Sequence, residues 1–148
     1  MAQGHLDEGR LLLEECLVTF QEMKSSWGRG NALAFLGMNC EIRGDVAKAI
    51  AFYRESLELA QQIQDVIHCA VMLGVLAGAR TSLGEKDAAP SYFEELQRLV
   101  PQTSNRWALG MFLQSAAFNV QYNYQPLLPS YSTLASKKLS VTSTVRLY

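Results

Sequence analysis

The chain lacks most of what catalysis, metal binding or secretion leaves in a sequence. It has two histidines, His5 and His68, too far apart to form a short histidine hook for a metal. Its three cysteines, Cys16, Cys40 and Cys69, are an odd number at wide spacings. They offer neither a CxxC pair nor a compact disulfide framework, which favours a reduced, cytoplasmic setting. A net charge of -1 provides no basic footprint for nucleic acid. The N-terminal residues Met1 to His5 contain no basic stretch leading into an apolar run, so no secretory leader is expected. The longest nearly apolar stretch, Val66 to Ala79, is too short to span a bilayer and reads as a buried helix. Acidic residues are also absent from the end of the chain. All 14 lie at or before Glu95, and the last third carries Arg98, Arg106, Lys137, Lys138 and Arg146 instead.

Recognisable reaction chemistry is missing too. A phosphate-binding loop needs two glycines five apart followed by Lys and Ser or Thr, and the nearest approach, Gly84-Glu85-Lys86, places an acid where phosphate oxygens would sit. Gly28-Arg29-Gly30 has neither the third glycine nor the preceding strand of a dinucleotide fingerprint, and reads as a loop between helices. With two histidines so placed, no set of nucleophile, base and orienting acid can be assembled. No cofactor, metal or catalytic residue is assigned. The pairs Glu14-Glu15, Glu55-Glu58 and Glu94-Glu95 recur at similar positions and read as the solvated side of successive helices.

What the chain has in place of motifs is a period. Gly4, Gly44 and Gly84 each precede an acidic helix start, and Glu15, Glu55 and Glu95 recur behind them, as do Leu33, Leu73 and Leu113 between them. A period of forty residues marks a repeat array, in which each unit buries its apolar face only against its neighbours. At this offset Leu33-Leu36-Gly37 aligns with Leu73-Leu76-Ala77 and then with Leu113-Ala116-Ala117. Leucines three apart followed by a tiny residue give a helix one apolar stripe with a notch in it. These are termed A helices. Gly44 and Gly84 cap them, and Asp45 or Glu85 opens the next helix.

The following stretch aligns Gly9-Leu13-Leu17 with Ala49-Tyr53-Leu57 and Ala89-Phe93-Gln97, a small residue followed by a large one on the same face. These are the B helices. The first, over about Leu6 to Met23, has no A helix in front of it, leaving Leu11, Leu12, Leu13 and Leu17 without cover. Cys16 falls at a packing position of its B helix and is expected to be buried, whereas Cys40 and Cys69 are less clearly core. Trp27, Ile67 and Trp107 stand at the start of successive A helices and read as packing knobs between repeats.

Gly37 or Ala77, then Ala49 or Ala89 twelve residues on, then Tyr53 or Phe93 four beyond, resembles the tetratricopeptide repeat. The forty-residue period and the wording from His5 to Ala60 are similar to the lengthened repeats of large bacterial regulators: maltose-regulator-like and LuxR-type activators, signal-transduction ATPases and some cyclases. The resemblance covers about residues 4 to 118. It implies an all-α antiparallel helix-hairpin solenoid of about five helices, with residues 1–120 the array and 121–148 an irregular Ser/Thr-rich tail or cap. Pro126 and Pro129 stop the repeat there, either as a native cap or as a remnant of a lost continuation.

By the same resemblance the A helices line the inside of a curved array. The implied groove is Asn31, Ala34, Met38, Glu41 and Ile42, then Val71, Gly74, Gly78, Thr81 and Ser82, then Met111, Gln114, Phe118, Gln121 and Tyr122. This set is almost uncharged and lacks a basic clamp for a terminal carboxylate. The expected role is non-catalytic protein or peptide binding, as part of a regulator's sensor or scaffold array, with self-association through exposed repeat ends and no nucleic acid or membrane partner. A free-standing peptide-binding adaptor is the alternative, and an enzyme with an unrecognised site a more remote one.

Overall fold

The computed structural model describes residues 2–85, 87–99 and 106–123. They form six α-helices: α1 (Ala2–Glu22), α2 (Ser26–Ile42), α3 (Val46–Gln62), α4 (Val66–Ser82), α5 (Ala88–Leu99) and α6 (Arg106–Asn123). No strand occurs among the described residues. Consecutive helices from α1 to α5 pack as antiparallel hairpins, and α6 lies against α4. The architecture is an all-α hairpin array with one more helix than the five or so expected. Residues 124–148, which hold most of the expected tail, lie outside the described residues.

The connections show why the period holds. Lys24, Gly44, Gln64 and Gly84 adopt positive φ, so a left-handed residue ends a helix every twenty residues. Such a residue reverses the chain sharply, and glycine takes it without a Cβ clash. After the first three the next residue caps the following helix, whereas after Gly84 the helix begins only at Ala88, so Glu85 does not open it as expected. Ser25 accepts from the Gly28 amide at 3.1 Å, Asp45 from Lys48 at 3.2 Å and Asp65 from His68 at 3.0 Å. Each side-chain oxygen satisfies a donor that the first turn leaves unpaired. The Ser25 cap also corrects the reading of Gly28-Arg29-Gly30: these residues are the first turns of α2, not a loop.

Packing follows a knob-and-notch rule. Tyr53 of α3, buried, packs against Gly37 of α2, and Phe20 of α1, half-buried, against Gly28 of α2, each ring lying where a Cβ would be. Asn39 of α2 reaches back to the Leu6 carbonyl at 2.9 Å, and Arg43 binds both Asn39 and Asp7. These contacts hold α1 in place. Farther along, Phe93 of α5 meets Phe112 of α6 with ring centroids 5.6 Å apart at 56°, a tilted geometry worth about 0.5–1.5 kcal/mol beyond burial. Ala108 and Phe112 are fully buried, which continues into α6 the register of Gly28 and Ala32 in α2.

The cysteines and tryptophans depart from expectation. Cys16 is exposed, while Cys40 and Cys69 belong to the core. The residue at its register position in α3 is Ser56, fully buried between α2 and α4, and α1 has no such second helix upon it. Trp27 and Trp107 are 61% and 75% exposed, so they are not knobs between repeats among the described residues.

Candidate functional site

One face of α2 carries four exposed large apolar side chains at positions that three- and four-residue spacing brings together. Trp27, Phe35, Met38 and Ile42 all lie open, with Asn31 and Ala34 half-buried among them. Asn31 turns its amide to the Trp27 carbonyl at 2.9 Å, so its polarity is partly spent within the helix. From Trp27 to Ile42 the stripe runs about 22 Å at the helical rise. Exposed apolar surface of this extent, with charge confined to its edge, is the usual mark of an interaction site.

Glu41 is the charged group of that edge, and it is held inward. The Tyr53 hydroxyl donates to its Oε2 at 2.7 Å. Burial raises the Glu41 pKa, and the bond from Tyr53 offsets part of the rise. The Tyr53 hydroxyl is itself pushed far up, by burial first and then by the negative Glu41 beside it. One period on, the same two places hold Thr81 and Phe93, and Thr81 bonds the Ala77 carbonyl of its own helix at 2.6 Å. The half-buried acid and its phenol occur in the α2–α3 pair and not in the α4–α5 pair.

The expected groove residues divide. Met38, Ile42 and Gln114 are exposed, and Asn31, Ala34, Glu41, Val71, Ser82 and Met111 are half-buried. Gly74, Gly78 and Thr81 are buried in α4, on which α6 packs, and do not face solvent. The side chains of Phe118, Gln121 and Tyr122 lie outside the described residues. Trp27 and Phe35 of α2 and Trp107 of α6 are also exposed and stood outside the expected set. For the two tryptophans the signal was the Trp27, Ile67, Trp107 column, which runs through three helix starts and is exposed in all three.

Among the described residues, Ser56 and His68 form a pair that resembles reaction chemistry. Ser56 Oγ lies 2.7 Å from the Gly30 carbonyl and 2.8 Å from His68 Nε2, and is fully buried. A carbonyl can only accept, so the serine proton points to Gly30 and Oγ accepts from Nε2–H of His68. That polarity is opposite to a base activating a hydroxyl. The bonds fasten α2, α3 and α4 together, and burial lowers the His68 pKa against the opposing pull of Asp65. Among the described residues no cluster of His, Cys, Asp and Glu could hold a metal ion, and no helix is long and apolar enough to cross a membrane. Compared with models of known protein families, with characterised proteins and with solved structures, the chain matches none.

Proposed function

We propose that this chain is a non-catalytic protein-binding module of tetratricopeptide type that captures an apolar helical or extended segment on α2. Its setting in this reading is the cytoplasmic sensor or scaffold array of a bacterial signalling or transcriptional regulator, of which it is a fragment or a short relative. The observation that carries the reading is the stripe of Trp27, Phe35, Met38 and Ile42, four large apolar side chains left in water on one helix face. A fold that buries smaller side chains completely gains nothing from such exposure unless a partner covers it. The resemblance to regulator repeats supports the setting, and the near absence of charge along the stripe supports an apolar ligand.

Titration with a panel of apolar helical and extended peptides, followed by quenching of tryptophan fluorescence, tests the reading. A bound peptide is expected to shield Trp27, and Phe35→Asp or Ile42→Lys to abolish binding with the fold intact. Binding that ignores both substitutions, or a panel in which no peptide binds, would refute it.

A further inference from the structure

A different face of the molecule points to a second copy of the chain as a partner. Where α3 seats on α2, Gly30 is buried: a Cβ there would lie 3.8 Å from the Ser56 carbonyl oxygen and 3.8 Å from Leu59 Cβ. Forty and eighty residues on stand Ala70, fully buried, and Gly110, exposed, with nothing among the described residues within 4 Å of a Cβ. The partner position runs the other way. Ser56 and Leu96 are buried in α3 and α5, and Cys16 in α1 is exposed. The last A helix thus presents an open notch, and the first B helix an open knob face, of the contact that α2 and α3 make with one another.

Both open faces have the shape this contact needs. A hollow of about 330 Å³ lies over Gly110, lined by Arg106, Trp107, Met111 and Gln114. On α1, Leu12 (56% exposed), Cys16 and Thr19 fall on one face and correspond to Phe52, Ser56 and Leu59 of α3. Glu55 of α3 pairs with Arg29 of α2 at 3.9 Å across the established contact. The counterpart of Glu55 on α1 is Glu15; in α6 the position of Arg29 holds Leu109, and a positive charge comes from Arg106, three residues earlier and lining the hollow.

We propose that copies of this chain associate head to tail, with Leu12, Cys16 and Thr19 of α1 seated in the Gly110 hollow of the next copy, repeating there the seat of α3 on α2. Such an interface joins unlike surfaces and leaves one of each free after every addition, so assemblies lengthen instead of stopping at a pair. One helix seated on another covers less than a standard interface, which sets association in the weak, concentration-dependent range.

Sedimentation velocity on the full chain at rising concentration tests the proposal. The weight-average sedimentation coefficient should climb without a plateau at the dimer, and the reactivity of the Cys16 thiol should fall with it. Leu12→Glu blocks one face and Gly110→Glu the other, both at exposed positions; Cys16→Arg serves as a second front variant if Leu12→Glu alters the circular dichroism. Each variant alone should be monomeric, and an equal mixture of a front and a hollow variant should form a one-to-one dimer and nothing larger. A symmetric interface fails this mixing test, because one variant would then self-associate like the parent chain: Gly110→Glu if α1 meets α1, Leu12→Glu if α6 meets α6. That result, a mixture that stays monomeric, or a parent chain that is monomeric with Cys16 reactive at every concentration, as when residues after Asn123 fill the hollow, overturns the proposal.

Discussion

The Tyr53 ring occupies the space above Gly37: a Cβ at position 37 would stand 2.5 Å from ring atom Cε1 and 2.7 Å from Cδ1. Gly37→Ala therefore sets a helix-propensity gain of about 1 kcal/mol against a clash with a buried aromatic ring. Overpacking costs about 1–3 kcal/mol, so a net loss of up to about 2 kcal/mol is expected by urea denaturation. Gly9→Ala is the control. Its Cβ would meet only Asn39 Nδ2 at 3.9 Å, and the variant should gain roughly 0.5–1 kcal/mol.

Removing the Tyr53 hydroxyl leaves Glu41 short of a buried donor, and Tyr53→Phe should cost about 1–2 kcal/mol at neutral pH. Glu41→Gln keeps an acceptor for the phenol and removes the charge. Because burial raises the folded pKa of Glu41 above 4.5, the folded state holds its proton more tightly than the unfolded state. The stability linked to that proton is complete below the unfolded pKa and is lost as pH rises through the folded value. Glu41→Gln should abolish this slope and be neutral or stabilising at pH 7, as read from denaturation midpoints across the acid range.

His68 works in the opposite direction. Burial holds its pKa below 6.5, so the unfolded chain binds the proton more readily. Its contribution is complete above the unfolded value and is lost as pH falls toward the folded one. The denaturation midpoint should drop as pH falls below about 6.5, and His68→Gln should flatten that drop.

The thiols should fall into two classes. Cys16 is exposed, whereas Cys40 and Cys69 are buried. Burial raises the Cys40 thiol and, aided by Asp65 and Glu95, pushes Cys69 up to about 11. At low protein concentration a thiol reagent should modify Cys16 in the native chain and reach the other two only on unfolding. Early reaction of Cys69 would contradict its place in the core.

Lys24 and Gln64 hold left-handed backbone, φ 53° and 56°, that Gly44 and Gly84 hold without a Cβ. Lys24→Gly and Gln64→Gly should each stabilise the fold by up to about 1 kcal/mol. Thermal melts of the single and double variants measure this directly.

Helix order and hairpin packing were legible because glycine and a following acid punctuate the chain at Gly44-Asp45 and Gly84-Glu85, and because small residues face large ones at a fixed offset. The caps at Ser25 and Asp65 were harder to see, since Lys24 and Gln64 stand where glycine gives the signal elsewhere. Register states which positions are equivalent but not what covers them. Cys16 and Ser56 share a position, yet only Ser56 has helices on both sides. The same ambiguity hid Trp27 and Trp107: a recurring bulky residue can face a neighbour or solvent, and periodicity alone does not choose. The buried Ser56 and His68 pair gave no sequence signal, because it joins residues twelve apart that occur together in one repeat only.

Gly44 and Gly84 turn the chain with nearly the same φ, 84° and 88°, and each hands over to an acidic residue. A copy of residues 45–84 spliced in after Gly84 would therefore find at both of its joints a junction of the kind it already has. The molecule is modular at the level of its gene: it could lengthen by whole in-frame duplications of forty codons, and a protein built this way can change its reach without reinventing its core.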